Sequence, residues 1–453
     1  MKRPLLYKCL SLAALILLLL VPISMIDGVI EDRQQTHQQV LHEIAQSSTF
    51  SQKVSGPILV LPYRKKVLQW KVEAQTNARV QEEVWQAGVH YLLPEKFDLN
   101  ANLTTEVRSR GIYEALLYHA DATLSGHFQV PSNFGVQGDD ETTRFSDPYI
   151  ALAIEDIRGI ENALTIEVNG KAITMAPSAN VSKLGEGVHA MLERLDISKK
   201  TRMDFSLALR LQGTESLSIT PVGKETRVQL VSDWPHPSFM GNQLPASRSV
   251  GAEGFSATWN TSYFSSNIVE SFDRCMAGEC NAFGSKAFGV SLIDPVDRYV
   301  KSDRAIKYAL LFIALTFGSF VLFEVLKRLV VHPVQYALVG LSLAFFYLLL
   351  VSLSEHISFG LSYTISAAAC ILLIGFYLSY VLASVYRALG FTAGLTALYG
   401  FLYALLCAED YALLMGAILL FSVLGLFMFL TRHIDWYSVG QKPLDRTSDS
   451  ACQ

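Results

Sequence analysis

The stretch LSLAALILLLLVPISMI, residues 10–26, decides the architecture of this chain. It follows Lys2, Arg3 and Lys8, and two readings compete for such a segment: a cleaved signal peptide or a membrane anchor. A signal peptide ends its apolar core at a small-residue cleavage site, and Val21-Pro-Ile-Ser-Met-Ile26 offers none. Cys9 follows Lys8 and precedes the apolar core, which argues against lipoprotein processing. The expectation is an uncleaved transmembrane helix starting near Leu5, within residues 1–26, with its positive N-terminus in the cytoplasm.

Working outward, a second apolar region occupies 306–430. It carries eight charged residues: Lys307, Glu324, Lys327, Arg328, Glu355, Arg387, Glu409 and Asp410. These divide it into segments of about 20 residues, the length a bilayer core requires, near 306–323, 334–353, 359–380, 389–406 and 412–430. The sequence therefore predicts an N-terminal anchor and a C-terminal five-helix transmembrane bundle, six spans in all. With the N-terminus inside, Lys327, Arg328, Arg387, Arg432 and Lys442 all fall on the cytoplasmic side, as the positive-inside rule expects. Arg304 and Lys307 are exceptions, and the long translocated domain before them weakens the rule there. Both termini are then cytoplasmic, 431–453 is a cytoplasmic tail, and 27–305 lies outside the cytoplasm.

Asp27–Gln46 reads as a helical stalk, with Gly56-Pro57 expected to end it. Beyond it come short strands at intervals of about ten residues. Leu164-Thr-Ile-Glu-Val alternates with period two and reaches Asn169-Gly170, a two-residue hairpin turn, and Lys171–Met175 returns. Phe205–Leu211, Leu217–Thr220 and Arg227–Val231 alternate similarly. The expected fold is a large all-β, sandwich-like domain of antiparallel strands, one sandwich or two.

Composition agrees. Of 453 residues, 51% are hydrophobic and 17% charged, against about 25% charged in soluble domains. A disordered chain and a basic nucleic-acid module are excluded, and the net charge of −4 names no polyanionic partner. No nucleic acid and no cofactor is expected.

Candidate sites are few. Gly185-Glu-Gly-Val-His-Ala190 matches G-x-G-x-x-A, but its surroundings are antiparallel, so a glycine-bearing turn is the better reading. Cys275 and Cys280 suggest a local disulfide, with a free pair or a metal site as alternatives; no His lies within ten residues of either. Asp233-Trp234-Pro235-His236-Pro237-Ser-Phe239 must be an extended corner, because its prolines forbid a helix or a central strand. It serves either as a structural corner whose rings plug the sandwich or as a recognition loop contacting through His236. Glu355 and His356 lie at the outer end of the third span. They are either interfacial capping residues or an acid–imidazole pair for proton relay or metal binding. Adjacent helical residues do not face each other, and no second His–Glu pair completes a ligand set, so no metal is expected. No charged residue stands at the midpoint of a span, which disfavours ion-coupled transport.

Seven ordered stretches carry a resemblance: Ser55–Pro62 (SGPILVLP), Asp156-Ile-Arg-Gly159, Asp233–Phe239, Asp303–Tyr308 (DRAIKY), His332–Tyr336 (HPVQY), Leu353-Ser-Glu-His356 and Thr431–Tyr437 (TRHIDWY). Over its whole length the chain resembles the CreD family of bacterial inner membrane proteins. The Cys275/Cys280 pair is not part of that pattern. The resemblance implies a multi-pass inner membrane protein of a Gram-negative bacterium, residues 27–305 being periplasmic. It further implies a regulon run by a two-component system, with links to envelope integrity, tolerance to E-group colicins and β-lactam responses. It supplies no catalytic residues and no mechanism. The expected function is non-catalytic envelope homeostasis, with membrane lipids, envelope proteins or cell-wall material as partners. The alternatives are a transporter or flippase for an envelope lipid, and a membrane enzyme using Glu355 and His356.

Overall fold

A computed structural model describes residues 4–72, 79–135, 142–193, 199–292, 298–327, 331–381, 384–408 and 411–432. The chain divides into two compact units, Met1–Gln38 with Val296–Gln453, and Gln39–Pro295. Most of the expected tail, 433–453, lies outside the described residues, as do Glu409 and Asp410.

The apolar N-terminal stretch and the expected stalk form one helix, α1 (Pro4–Ser47), of 44 residues. At 1.5 Å per residue it is roughly 66 Å long, about twice a hydrocarbon core. In the first unit it joins α5 (Arg298–Lys307), α6 (Ala309–Lys327), α7 (Pro333–Ser354), α8 (Phe359–Val381), α9 (Val385–Cys407) and α10 (Ala412–Thr431). Five helices among the described residues are long and apolar enough to cross a membrane: α1 and α7 to α10. The sixth expected span corresponds to Val300–Lys307 and Ala309–Leu322, two segments bent by 41° at their junction. Glu324, expected in a turn, lies inside α6.

The bundle core draws Leu19, Ile23, Ile26 and Ile30 from α1, Phe312 and Phe317 from α6, and Leu343 and Phe346 from α7. The α1 positions recur at intervals of four, three and four, a single helical stripe. Gly340 of α7 lets α1 come close: a Cβ there would lie 2.2 Å from Leu19 Cδ1 and 2.9 Å from the Phe317 ring. Buried hydroxyls are also joined across the bundle. Tyr363 donates to the Tyr399 carbonyl (2.6 Å), and Tyr399 donates to Cys370 Sγ (3.3 Å).

The second unit contains two sheets. The first has β1 (Gln52–Val72), β2 (Arg79–Leu92), β5 (Thr143–Phe145), β6 (Tyr149–Ile154), β9 (Ala176–Pro177), β10 (Gly187–Met191), β12 (Ser216–Thr220), β14 (Pro237–Gly241) and β17 (Phe288–Leu292). The second has β3 (Lys96–Arg110), β4 (Tyr113–Val130), β7 (Thr165–Val168), β8 (Lys171–Thr174), β11 (Thr201–Thr214), β13 (Glu225–Ser232), β15 (Ser247–Gly251) and β16 (Gly254–Thr261). Three short helices, α2 (Tyr263–Ser266), α3 (Ile268–Ala277) and α4 (Asn281–Gly284), precede β17. Inward residues of both sheets, among them Leu59, Ile150 and Val290 of the first and Leu99, Leu124, Leu209 and Leu230 of the second, share one core. One sandwich is formed, and α1 docks on it through Ile44, which packs with Ala115 and Leu117 of β4.

The hairpin at Asn169-Gly170 has the form its sequence predicts. Val168 pairs with Lys171, and both turn residues have positive φ, 51° and 79°. The sheets are mixed, however, and not purely antiparallel: β1 pairs parallel with β12, and β3 with β13. These partners are far apart in the chain, so no local turn signal announces their direction. A second expectation also changes. Gly56-Pro57 does not end the stalk, since α1 stops at Ser47 and these residues sit inside β1 at a register shift between Ser55 and Ile58. A bulge tolerates a proline without an N–H donor.

Candidate functional site: the two fastenings of the first helix

The C-terminal end of α1 is held by a polar joint. The last four carbonyls of any helix lack intrahelical donors, and Gln46 carries one of them. Arg158 Nη1 donates to that carbonyl at 2.7 Å, and its guanidinium lies 5.6 Å from the Phe50 ring centroid. A cation at a helix C-terminus also interacts favourably with the helix dipole. The Arg158 fork is aimed by Asp156, which accepts from Nε (2.9 Å) and Nη2 (2.6 Å), and also from the backbone N–H groups of Phe50 and Arg158. Those bonds, with the Arg158 guanidinium foremost, hold the Asp156 carboxyl below its ordinary pKa. Buried Gln52 closes the joint, donating to the carbonyls of Asp156 and Gln212, both at 3.0 Å. Gly159 is required by space: a Cβ there would lie 2.4 Å from the Gln212 oxygen.

The second fastening is in the membrane unit. Arg33 Nε lies 3.1 Å from Glu355 Oε1, and the Glu355 side chain is only 13% exposed against 47% for Arg33. Glu355 is the residue that closes α7. The interfacial reading, with both residues facing water, therefore needs correcting for Glu355, whose carboxylate is drawn under Arg33. It fits His356, which is exposed. Arg33 was missed by sequence reading although a signal existed. It follows Leu19, Ile23, Ile26 and Ile30 at the next three-residue step, so a cation occupies the continuation of an apolar stripe.

The Asp233–Phe239 corner is elsewhere in the second unit. It carries the chain from β13 in one sheet to β14 in the other. Asp233 accepts from the Thr105 backbone N–H (3.1 Å) and from its hydroxyl (3.0 Å). Pro235 is half-buried and Pro237 opens edge strand β14. Trp234 is half-buried against the core, with exposed His236 edge-on at 6.1 Å. The ring that fills the sandwich is Trp259, fully buried, stacked on Phe288 at 5.4 Å and donating from Nε1 to the Gln243 carbonyl. Trp234 and Phe239 of the corner both pack against this core, Phe239 edge-on to Trp259 at 5.8 Å, while Trp259 itself, in an ordinary alternating strand, was not singled out by sequence reading.

Cys275 of α3 and Cys280 form a disulfide. The G-x-G-x-x-A stretch enters β10, antiparallel to β6, with φ of +85° at Gly185 and +153° at Gly187; no helix opens there. Among the described residues no group of three or more His, Cys, Asp or Glu side chains is placed to hold a metal.

One polar cluster was not anticipated. His119 of β4 has Nδ1 2.9 Å from Glu161 and Nε2 3.1 Å from Glu106 of β3. An imidazole bonded to a carboxylate at each nitrogen must donate from both, which is the cationic form. Desolvation lowers the His119 pKa, but the bonds to Glu106 and Glu161 outweigh it and the net shift is upward.

The comparisons with known proteins come from sequence and from structure. The profile of the family described as "Inner membrane protein CreD" matches residues 4–437. Inner membrane protein CreD of Escherichia coli (strain K12) is 38% identical over 438 residues, 97% of this chain and 95% of that one. Solved structures of an M1 zinc metallopeptidase from Deinococcus radiodurans align over 37% of this chain. The form bound to a Tyr-Ser-Ala substrate gives a TM-score of 0.21 at 12% identity over 39% of its own length, and another structure gives 0.18 at 9% over 38%. At those scores the likeness carries no argument. The full-length sequence match decides, and the chain belongs to the CreD family of inner membrane proteins.

Proposed function

We propose that the protein is a non-catalytic component of envelope maintenance. In this reading the two-sheet unit lies in the periplasm and meets envelope proteins or cell-wall material, while α1 holds it. Supporting it is the joint at the end of α1, where Asp156 and Arg158 bond the last helical turn to the sandwich. That arrangement suits holding a domain firmly and supplies no nucleophile or proton-transfer pair. Glu355, the best acid candidate in the sequence, is engaged by Arg33. Links to a two-component regulon, colicin tolerance and β-lactam response belong to this proposal as the processes in which the contact is used.

The test is complementation of a deletion strain, with membrane levels followed by immunoblot. Asp156→Asn and Arg158→Ala should abolish the envelope phenotype at normal protein level, while His356→Asn complements fully. A null phenotype from His356→Asn at normal level would overturn the non-catalytic reading. Topology is proposed with it: both termini cytoplasmic and the sandwich periplasmic. Reporter fusions after residue 200, after residue 355 and at the C-terminus should read out, out and in. A periplasmic C-terminus would mean that the bent pair α5–α6 does not cross the membrane.

A further inference from the structure

Strands β1 and β2 pair in unbroken antiparallel register from Leu59↔Leu92 to Val72↔Arg79. Strand β5 joins β1 at Tyr63–Lys65, and the Lys66 N–H donates to the Thr142 carbonyl at 2.8 Å; beyond that point the hairpin is a two-stranded arm among the described residues. Its two faces differ. Residues directly opposite each other share a face, and on one face Tyr63 covers Gly88, where a Cβ would lie 2.5 Å from the ring. Tyr63 continues through Phe145 to buried Phe134, so that face is closed by aromatic packing at its base.

The other face is open and has an unusual composition. Leu68 and Trp70 are 63% and 64% exposed. Behind them Arg64 stands directly opposite Arg144, and like charges so placed destabilise a sheet. Both arginines are exposed, and neither has an ion pair among the described residues. Arg144 lies 4.8 Å and Lys66 5.5 Å from the Trp85 ring centroid; among the described residues, Lys66 is the one of these three cations with an ion pair, to Glu83 at 3.2 Å. Exposed tryptophan and leucine beside uncompensated cations match the chemistry of a bilayer interface, where indole rings sit at headgroup level and basic side chains meet anionic lipid.

We propose that this face of the β1–β2 arm is a binding surface for anionic phospholipid headgroups of the bilayer that holds the chain. Trp70 and Leu68 enter the interface, and Arg64 and Arg144 take the phosphates. This goes beyond the proposed function and does not depend on it, since a catalytic protein would use the same surface.

The experiment uses the full-length protein in nanodiscs containing phosphatidylglycerol, with a benzophenone amino acid replacing Trp70. As control, the same group replaces Gln86, exposed on the opposite face of β2. Illumination followed by mass spectrometry should find phospholipid on the peptide containing residue 70, several-fold above the control. The change Arg64→Gln with Arg144→Gln should reduce that labelling by about fivefold per cation removed, and phosphatidylcholine alone should reduce it similarly. Equal labelling at 70 and 86, labelling insensitive to lipid charge, or no lipid adduct would overturn the proposal. So would a protein or glycan adduct at residue 70 in intact cells with no lipid adduct beside it.

Discussion

The two halves of α1 are held by different physics. Within the bundle, its stripe of Leu19, Ile23, Ile26 and Ile30 is packed by aliphatic and aromatic neighbours, with the Arg33–Glu355 ion pair as the polar contact at its end. Within the sandwich unit, Ile44 contributes modest burial and the helix end is fixed by directed hydrogen bonds to Gln46 and Phe50. In lipid a helix satisfies its own backbone and needs only shape. In water its last carbonyls compete for solvent, so an aimed arginine fixes them. Substitutions in the joint should therefore act on geometry and charge, and substitutions in the stripe on packing volume.

The largest expected effect belongs to Trp259. Trp259→Ala should cost about 3–5 kcal/mol, lowering the thermal transition of the β unit. Asp156→Asn comes next, because it takes the charge from a carboxylate that organises four donors; about 2 kcal/mol is expected, read by denaturant titration. Trp234→Ala, at a ring that is only partly buried against the core, should cost roughly 1–2 kcal/mol. A loss as large as that of Trp259→Ala would restore the corner as the plug. Glu355→Gln should cost about 1 kcal/mol, visible as a lower melting temperature in nanodiscs and removed when Arg33→Gln is already present.

The smallest effect is a pH dependence. The His119 pKa is raised in the folded chain, so its contribution is fully present below the unfolded value near ~6.5 and fades as pH rises through the folded value. The stability of the β unit should therefore decline slightly above about pH 6.5, and His119→Gln should flatten that slope. Asp156 runs the other way. Its lowered pKa gives stability above ~3.9, lost as pH falls through the folded value. An unchanged slope in His119→Gln would remove the cationic imidazole from the account.

Much of the fold was legible because bilayer length and period-two alternation are local signals. The anchor, the stalk, the Asn169-Gly170 hairpin and the strands β11, β12 and β13 come directly from them, whereas β3, β4, β6 and β16, which also line the core, were not read. The parallel pairs β1–β12 and β3–β13 were not legible, because pairing direction between distant strands is decided by the packing of the sheets. The sites divide in the same way. Glu355 and Asp233 drew attention as local oddities, while their partners Arg33 and Thr105 are 322 and 128 residues away in sequence. The His119 cluster joins three separate segments, and none of its residues is unusual alone.

Gly340 has a consequence for how the bundle is made. The contact it permits joins residues 19 and 340, so it closes a loop of 321 residues. In a membrane protein built in two stages, each helix is inserted first and helices associate afterwards. α1 must therefore stand alone in lipid while the whole β unit is synthesised, and its packing stripe fits that wait: Leu19, Ile23, Ile26 and Ile30 are as comfortable against acyl chains as against protein. Only when α7 arrives does the missing side chain at 340 give Leu19 a closer seat than lipid can offer. A bulkier residue at 340 would leave insertion of α1 intact and block this late docking, so the defect would show as a chain that is fully inserted and incompletely assembled.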